Sequence, residues 1–87
     1  MSKTKYRKHE VPEIYHKRLA YTGQLLREYR WGSGMSRMDV EEVYGISRRT
    51  IERIERGRPI SLISLYRYIS CFGLEPADVL FRDSEIK

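Results

Sequence analysis

The chain has 87 residues, 40% of them hydrophobic and 33% charged. That is enough for one domain, above the ~40 residues below which disulfides, metals or oligomerisation usually become necessary. The single cysteine, Cys71, excludes an intrachain disulfide and fits a reducing cytoplasm. No apolar run approaches the ~18 residues of a membrane span, and the basic N-terminus lacks the apolar stretch of an export signal. A cytoplasmic protein is therefore expected, with no membrane partner. The net charge of +5 is unevenly placed. Residues 1–18 hold six Lys/Arg against two Glu, and residues 45–58 hold five Arg against two Glu. Residues 75–87 carry a net −2, from four acids and two bases. Two basic zones favour a polyanionic partner, while a basic protein without one would show the same total.

Residues 1–10 are polar and basic with no apolar periodicity, and residues 1–18 as a whole read as an arm, helical towards its end. Pro12 suits a first helical turn, where a missing N–H costs little. Ile14, Tyr15, Leu19, Thr22, Leu25, Leu26 and Tyr29 recur at helical spacing to about Arg30, with Gly23 as an interruption. Trp31–Gly34 reads as a loop. Ser36 caps a second helix with Asp39 at its third position, and Val40, Val43 and Tyr44 form its apolar stripe. Gly45 closes it. Ser47 caps a third helix with Ile51 and Ile54 buried, which Gly57 and Pro59 terminate. Ser61 caps a fourth, Leu62–Phe72, with Leu62, Leu65, Tyr66 and Ile69 on one face. A last short helix runs from Pro76 to about Phe81. Residues 19–82 thus read as one all-α domain, a small bundle of about five helices, and residues 83–87 as a frayed tail. No segment shows the alternation of a strand.

The most informative stretch is Met35–Gly57, MSRMDVEEVYGISRRTIERIERG. It reads as two short helices joined by a tight turn at Tyr44-Gly45-Ile46, the second with an arginine-rich outer face. A helix-turn-helix presents its recognition helix to the DNA major groove in this way. Burying Val40, Ile46, Ile51 and Ile54 leaves Arg48, Arg49, Glu52 and Arg53 on the opposite face.

From Gly23 to Leu80 the chain resembles the lambda-repressor/Cro-type (XRE) helix-turn-helix family. The resemblance is carried by Gly23, Leu26-Arg27 and Arg30, by Met35-Ser36 and Val40, and by the turn Gly45-Ile46-Ser47. It continues through Arg48, Ile51, Ile54 and Glu55-Arg56-Gly57, then Leu65, Leu74 and the Pro76–Leu80 end. It implies a lambda-repressor-like fold that binds double-stranded DNA through a recognition helix, Ser47–Arg56, as a small transcriptional regulator of phage, plasmid or mobile-element type. Base contacts would fall to Arg48, Arg49 and Arg53, since arginine bonds guanine O6 and N7 in bidentate fashion. Backbone contacts would fall to Arg37, Ser47, Thr50 and Arg58, which position without reading sequence. The arm residues Lys3, Lys5, Arg7 and Lys8 either follow the DNA backbone or minor groove, or form a solvated tail. Glu52 either accepts from cytosine N4 or pairs with Arg48 or Arg56. Glu41 departs from the family, which usually has a small Ala where the two motif helices cross. It must bend outward, pair with an arginine such as Arg53, or widen the crossing.

No catalytic constellation is present, so an enzyme is not expected. His9 and His16 lack further ligands at zinc spacing, and Cys71 reads as a small core residue. Neither a cofactor nor a small-molecule ligand is implied. Tyr66, Tyr68, Phe72, Leu74 and Phe81 either complete the core or form the seam of a homodimer through the C-terminal helices. Other functional readings are an antitoxin or protein-binding adaptor on the same fold, and an architectural or excision-type DNA-binding protein.

Overall fold

Pro12 is extended, and α1 (Glu13–Gly32) begins immediately after it in the computed structural model, which describes residues 11–81. Four shorter helices follow: α2 (Arg37–Tyr44), α3 (Arg48–Glu55), α4 (Leu62–Ser70) and α5 (Pro76–Leu80). No strand occurs among the described residues, so the expected all-α bundle of five helices is the architecture found. Helix α3 sits at the centre and packs on α1, α2 and α4, while α5 closes the bundle against α4 and α1.

Several local expectations need correction. Helix α1 is continuous through Gly23 and absorbs Trp31 and Gly32, in place of the loop expected there. Gly23 is where α1 meets the end of α3. A β-carbon there would lie 2.3 Å from the Ile54 carbonyl oxygen, so only glycine allows the two backbones this close. The glycine that looked like a break is the contact that docks α1. Only the later part of α1 is buried, through Thr22, Gly23, Leu25, Leu26 and Arg30, whereas Ile14 and Tyr15 are exposed. The helix also runs through residues 18 and 19 without a break.

Ser36 and Asp39 form a reciprocal cap on α2. Asp39 N–H donates to Ser36 Oγ at 3.0 Å, and Ser36 N–H donates to Asp39 Oδ2 at 2.8 Å. That backbone bond holds the Asp39 carboxyl below its ordinary range. Gly45 ends α2 at φ 74°, the left-handed conformation a tight turn requires. Of the expected α2 stripe only Val40 is buried; Val43 is 64% exposed and Tyr44 is exposed too. Helix α2 has eight residues and packs chiefly on α3, which leaves room to bury one position deeply. Ser47 and Ser61 cap α3 and α4 as expected, each accepting from the backbone N–H three residues on, at 3.2 Å.

The core joins Leu26, Val40, Ile46, Ile51, Ile54, Leu65, Tyr68, Ile69 and Val79. The four apolar pins expected of the motif are therefore all buried. The face of α4 was misphased: Tyr68 rather than Tyr66 is buried with Leu65 and Ile69, and Leu62 is exposed. Leu65, Tyr68 and Ile69 keep the i, i+3, i+4 spacing of a helical stripe, turned from the expected one. Cys71 is half-buried against the core, and burial raises its thiol pKa.

Candidate nucleic-acid interface

The two faces of α3 hold different kinds of charge. Inward, the Glu55 side chain is fully buried and gathers partners from three other helices. Arg30 on α1 grips it in bidentate fashion, Nε to Oε2 at 2.7 Å and Nη2 to Oε1 at 3.0 Å. Its Nη1 donates to the Met35 carbonyl at 2.9 Å. Tyr68 on α4 donates its hydroxyl to Glu55 Oε2. Arg37 on α2 reaches Oε1 through Nε at 3.2 Å and Nη2 at 3.1 Å. Arg27 Nε lies 3.7 Å from the same oxygen, and its guanidinium stands over the Trp31 ring. Burial alone would raise the Glu55 carboxyl pKa. The hydrogen bonds from Arg30 and Tyr68, with the charges of Arg30 and Arg37, outweigh that and hold it below the ordinary range. Burial and the bond to Glu55 push the Tyr68 phenol well above its usual range. The Glu55 bond likewise raises Arg30. This hub fixes the end of α3 to α1, α2 and α4 together.

Outward, α3 lines two shallow clefts that meet at Arg49 and Glu52. One is bounded by Arg37, Met38, Arg48, Arg49 and Glu52, and the other by Arg49, Glu52, Arg53, Arg56 and Arg58. Five exposed arginines and the half-buried Arg37 thus surround one glutamate. Glu52 pairs with Arg56 at 3.6 Å rather than with Arg48. Both partners are well exposed, a setting in which such pairs contribute only about 0.2–1 kcal/mol.

The expected contact residues fall on this surface with different degrees of freedom. Arg49 is exposed and makes no hydrogen bond or ion pair among the described residues. Arg53 donates from Nη2 to the Pro59 carbonyl at 2.9 Å, which ties it to the loop after α3. Arg48 pairs with Glu41, Nε to Oε1 at 3.0 Å. Of the three courses open to Glu41, pairing is the one taken, with Arg48 in place of Arg53. Ser47 Oγ is engaged as the helix cap and donates to Thr50 Oγ1 at 3.0 Å, which leaves the Thr50 hydroxyl proton to point elsewhere. Arg58 shares the second cleft with Arg53 and Arg56. Arg37 is drawn partly inward by Glu55, and only Nη1 has no partner among the described residues. Lys3, Lys5, Arg7 and Lys8 lie outside the described residues.

Sequence reading missed the hub. It noted Arg30 and Glu55 as family positions, without their pairing. The signal was present in spacing: Glu55 follows the buried Ile51 by one helical turn, so its carboxylate had to face inward and find a cation. Met38, which helps line one cleft, was also not singled out, and Arg56 was named only as a partner for Glu52.

A central helix docked by its inner face, with a capped helix and a left-handed glycine turn before it, is the geometry of a helix-turn-helix. The family model for a helix-turn-helix domain matches residues 23–68, more than half the chain. The chain belongs to the helix-turn-helix domain family, which is of the lambda-repressor/Cro (XRE) type. No curated protein and no solved structure matches it. The matched segment takes in α2, the turn, α3 and both sides of the hub, from Gly23 to Tyr68. Helix-turn-helix domains are DNA-binding modules, and α3 occupies the place of the recognition helix. No helix among the described residues is long and apolar enough to cross a membrane.

Proposed function

We propose that this helix-turn-helix protein is a small transcriptional regulator that reads duplex DNA with the outer face of α3. The observation that carries the reading is the unpartnered, exposed Arg49 between two arginine-lined clefts. Such a surface is unfavourable by itself, because like charges crowd together, and becomes favourable against phosphates and guanine edges. In this reading Arg48, Arg49 and Arg53 contact base edges. Arg37, Ser47, Thr50 and Arg58 contact the backbone, and Arg58 does so without a competing buried partner. Lys3, Lys5, Arg7 and Lys8 add non-specific attraction, and the protein acts in the cytoplasm.

The C-terminal half supports a homodimer. Tyr68 is spent on the core, but Phe81 is 77% exposed and Ile63 67%, with exposed Tyr66 one helical turn on from both Leu62 and Ile63. A two-fold pairing there would carry two recognition helices to half-sites about one DNA turn apart, ~34 Å. The antitoxin or adaptor reading would use the same apolar patch for a different protein.

Selection of bound duplexes from a random-sequence library at near-physiological salt tests the proposal. Enrichment of a guanine-bearing dyad is expected. A single short enriched site would remove the homodimer. Salt-sensitive binding with no enrichment would replace the regulator with an architectural protein, and absence of DNA binding would leave the adaptor.

A further inference from the structure

Glu41 does something at the start of α3 that no other described residue does. Its carboxylate spans the turn and holds Arg48 at two points, Oε1 to Nε at 3.0 Å and Oε2 to the backbone N–H at 3.3 Å. The backbone group is one of the open donors of a helix N-terminus, a natural seat for a phosphate. Ser47 caps the N–H of Thr50, two residues further on, and leaves that of Arg48 open. Glu41 fills it with an internal negative charge, which disfavours a DNA phosphate there.

The second contact acts on the side chain. An arginine has five N–H donors in a planar fork, and Nε carries one. The ion pair draws the guanidinium by its Nε edge towards Glu41, with Nε 3.0 Å from Oε1. Nη1 and Nη2 make no hydrogen bond among the described residues, and the Arg48 side chain is 57% exposed. These are the two nitrogens that an end-on bidentate bond to guanine O6 and N7 requires. The cleft into which they open is shared with Arg37 and Arg49.

We infer that Glu41 is a positioning residue for specificity: it holds the Nε edge of Arg48 so that the far end of the guanidinium meets a guanine, and it takes up the Arg48 backbone N–H, leaving phosphate contacts at this helix start to Ser47 and Thr50. The inference rests on the reading of Arg48 as a base contact. Without Glu41, Arg48 becomes a mobile charge that follows phosphates, so total affinity is kept while sequence discrimination falls.

The test uses the duplex recovered by selection and its single-base variants. Binding is measured by fluorescence anisotropy for the full chain and for Arg48→Ala, Glu41→Ala, Glu41→Gln and the double variant Glu41→Ala/Arg48→Ala. Arg48→Ala is expected to erase preference at one guanine position. Glu41→Ala should lower preference at that same position by about 3- to 10-fold, a part of what a bidentate contact supplies. It should bind an unrelated duplex at least as tightly as the parent does. Glu41→Gln, which keeps an acceptor oxygen for Nε, should retain more of the preference than Glu41→Ala. The double variant should match Arg48→Ala alone, as coupled positions do. Full preference in Glu41→Ala would overturn the inference while leaving Arg48 as a reader. An even loss of preference at all positions, together with a lowered melting temperature, would also overturn it, reducing Glu41 to a packing residue. If Arg48→Ala relaxes no position, the base-contact reading fails and takes the role of Glu41 with it.

Discussion

The inner and outer faces of α3 are built from the same residue types and behave in opposite ways. On the inner face one carboxylate, Glu55, is wrapped by arginines from α1 and α2 and by a tyrosine from α4, out of reach of water. On the outer face five exposed arginines gather around Glu52, and the pairs that do form are exposed. A charge buried without a partner is heavily disfavoured, so each inward arginine has a structural task. An exposed arginine that makes few internal contacts contributes little to folding and is left for something outside the molecule. Partner count and burial, more than residue type, separate the charges that hold this fold from those that use it.

The contrast can be broken most forcefully from the inside. Glu55→Ala leaves Arg30 buried without its anion and is expected to destabilise the domain by about 3–5 kcal/mol, the usual effect of removing one half of a buried pair. Chemical denaturation followed by circular dichroism would report it. The same hub has a pH signature. The folded-state pKa of Glu55 is depressed, so its stabilisation is present above the ordinary carboxylate pKa of ~4.3 and fades as pH falls through the lower folded value. The Tyr68 pKa is raised, so its contribution is complete below ~10 and weakens as pH rises towards the folded value. Stability measured against pH should show both limbs, and Tyr68→Phe should remove its share of the alkaline one.

Gly23→Ala comes next. Helix propensity alone would favour alanine by about 1 kcal/mol. The backbone of α3 forbids the added carbon, so a net destabilisation of about 1–3 kcal/mol is expected from forced overpacking. A rise in melting temperature would show that α1 and α3 do not cross as closely as described. The smallest effect belongs to the outer rim. Arg58→Ala should weaken every duplex to a similar degree and reduce the salt slope by about one unit, with no change in base preference. Arg37 is a poorer probe of the same role, because its loss also disturbs the hub.

Much of this was legible in the sequence because local rules dominate short helices. The serine caps, the glycine turn and the spacing of Val40, Ile46, Ile51 and Ile54 fixed α2 and α3 on sequence grounds alone. What escaped was set by distant contacts. Gly23 carries no sign that its missing β-carbon answers to a carbonyl 31 residues away. The burial of Tyr68 in place of Tyr66 depends on where Glu55 stands, and neither helix declares it by itself. The same holds at the interface. The outward face of α3 was readable from periodicity, but the holding of Arg48 by Glu41 and of Arg53 by Pro59 arises from the folded turn and loop.

The separation of the two faces is tested most directly at Arg49, by measuring thermal stability and sequence discrimination together in Arg49→Ala. Stability should stay within about 0.5 kcal/mol of the parent, as for a surface substitution. Preference at one base position of the selected duplex should fall by about 1–3 kcal/mol, the worth of a bidentate contact. Unchanged discrimination, or a loss of discrimination that tracks a loss of stability, would contradict the division of α3 into a face that folds and a face that reads.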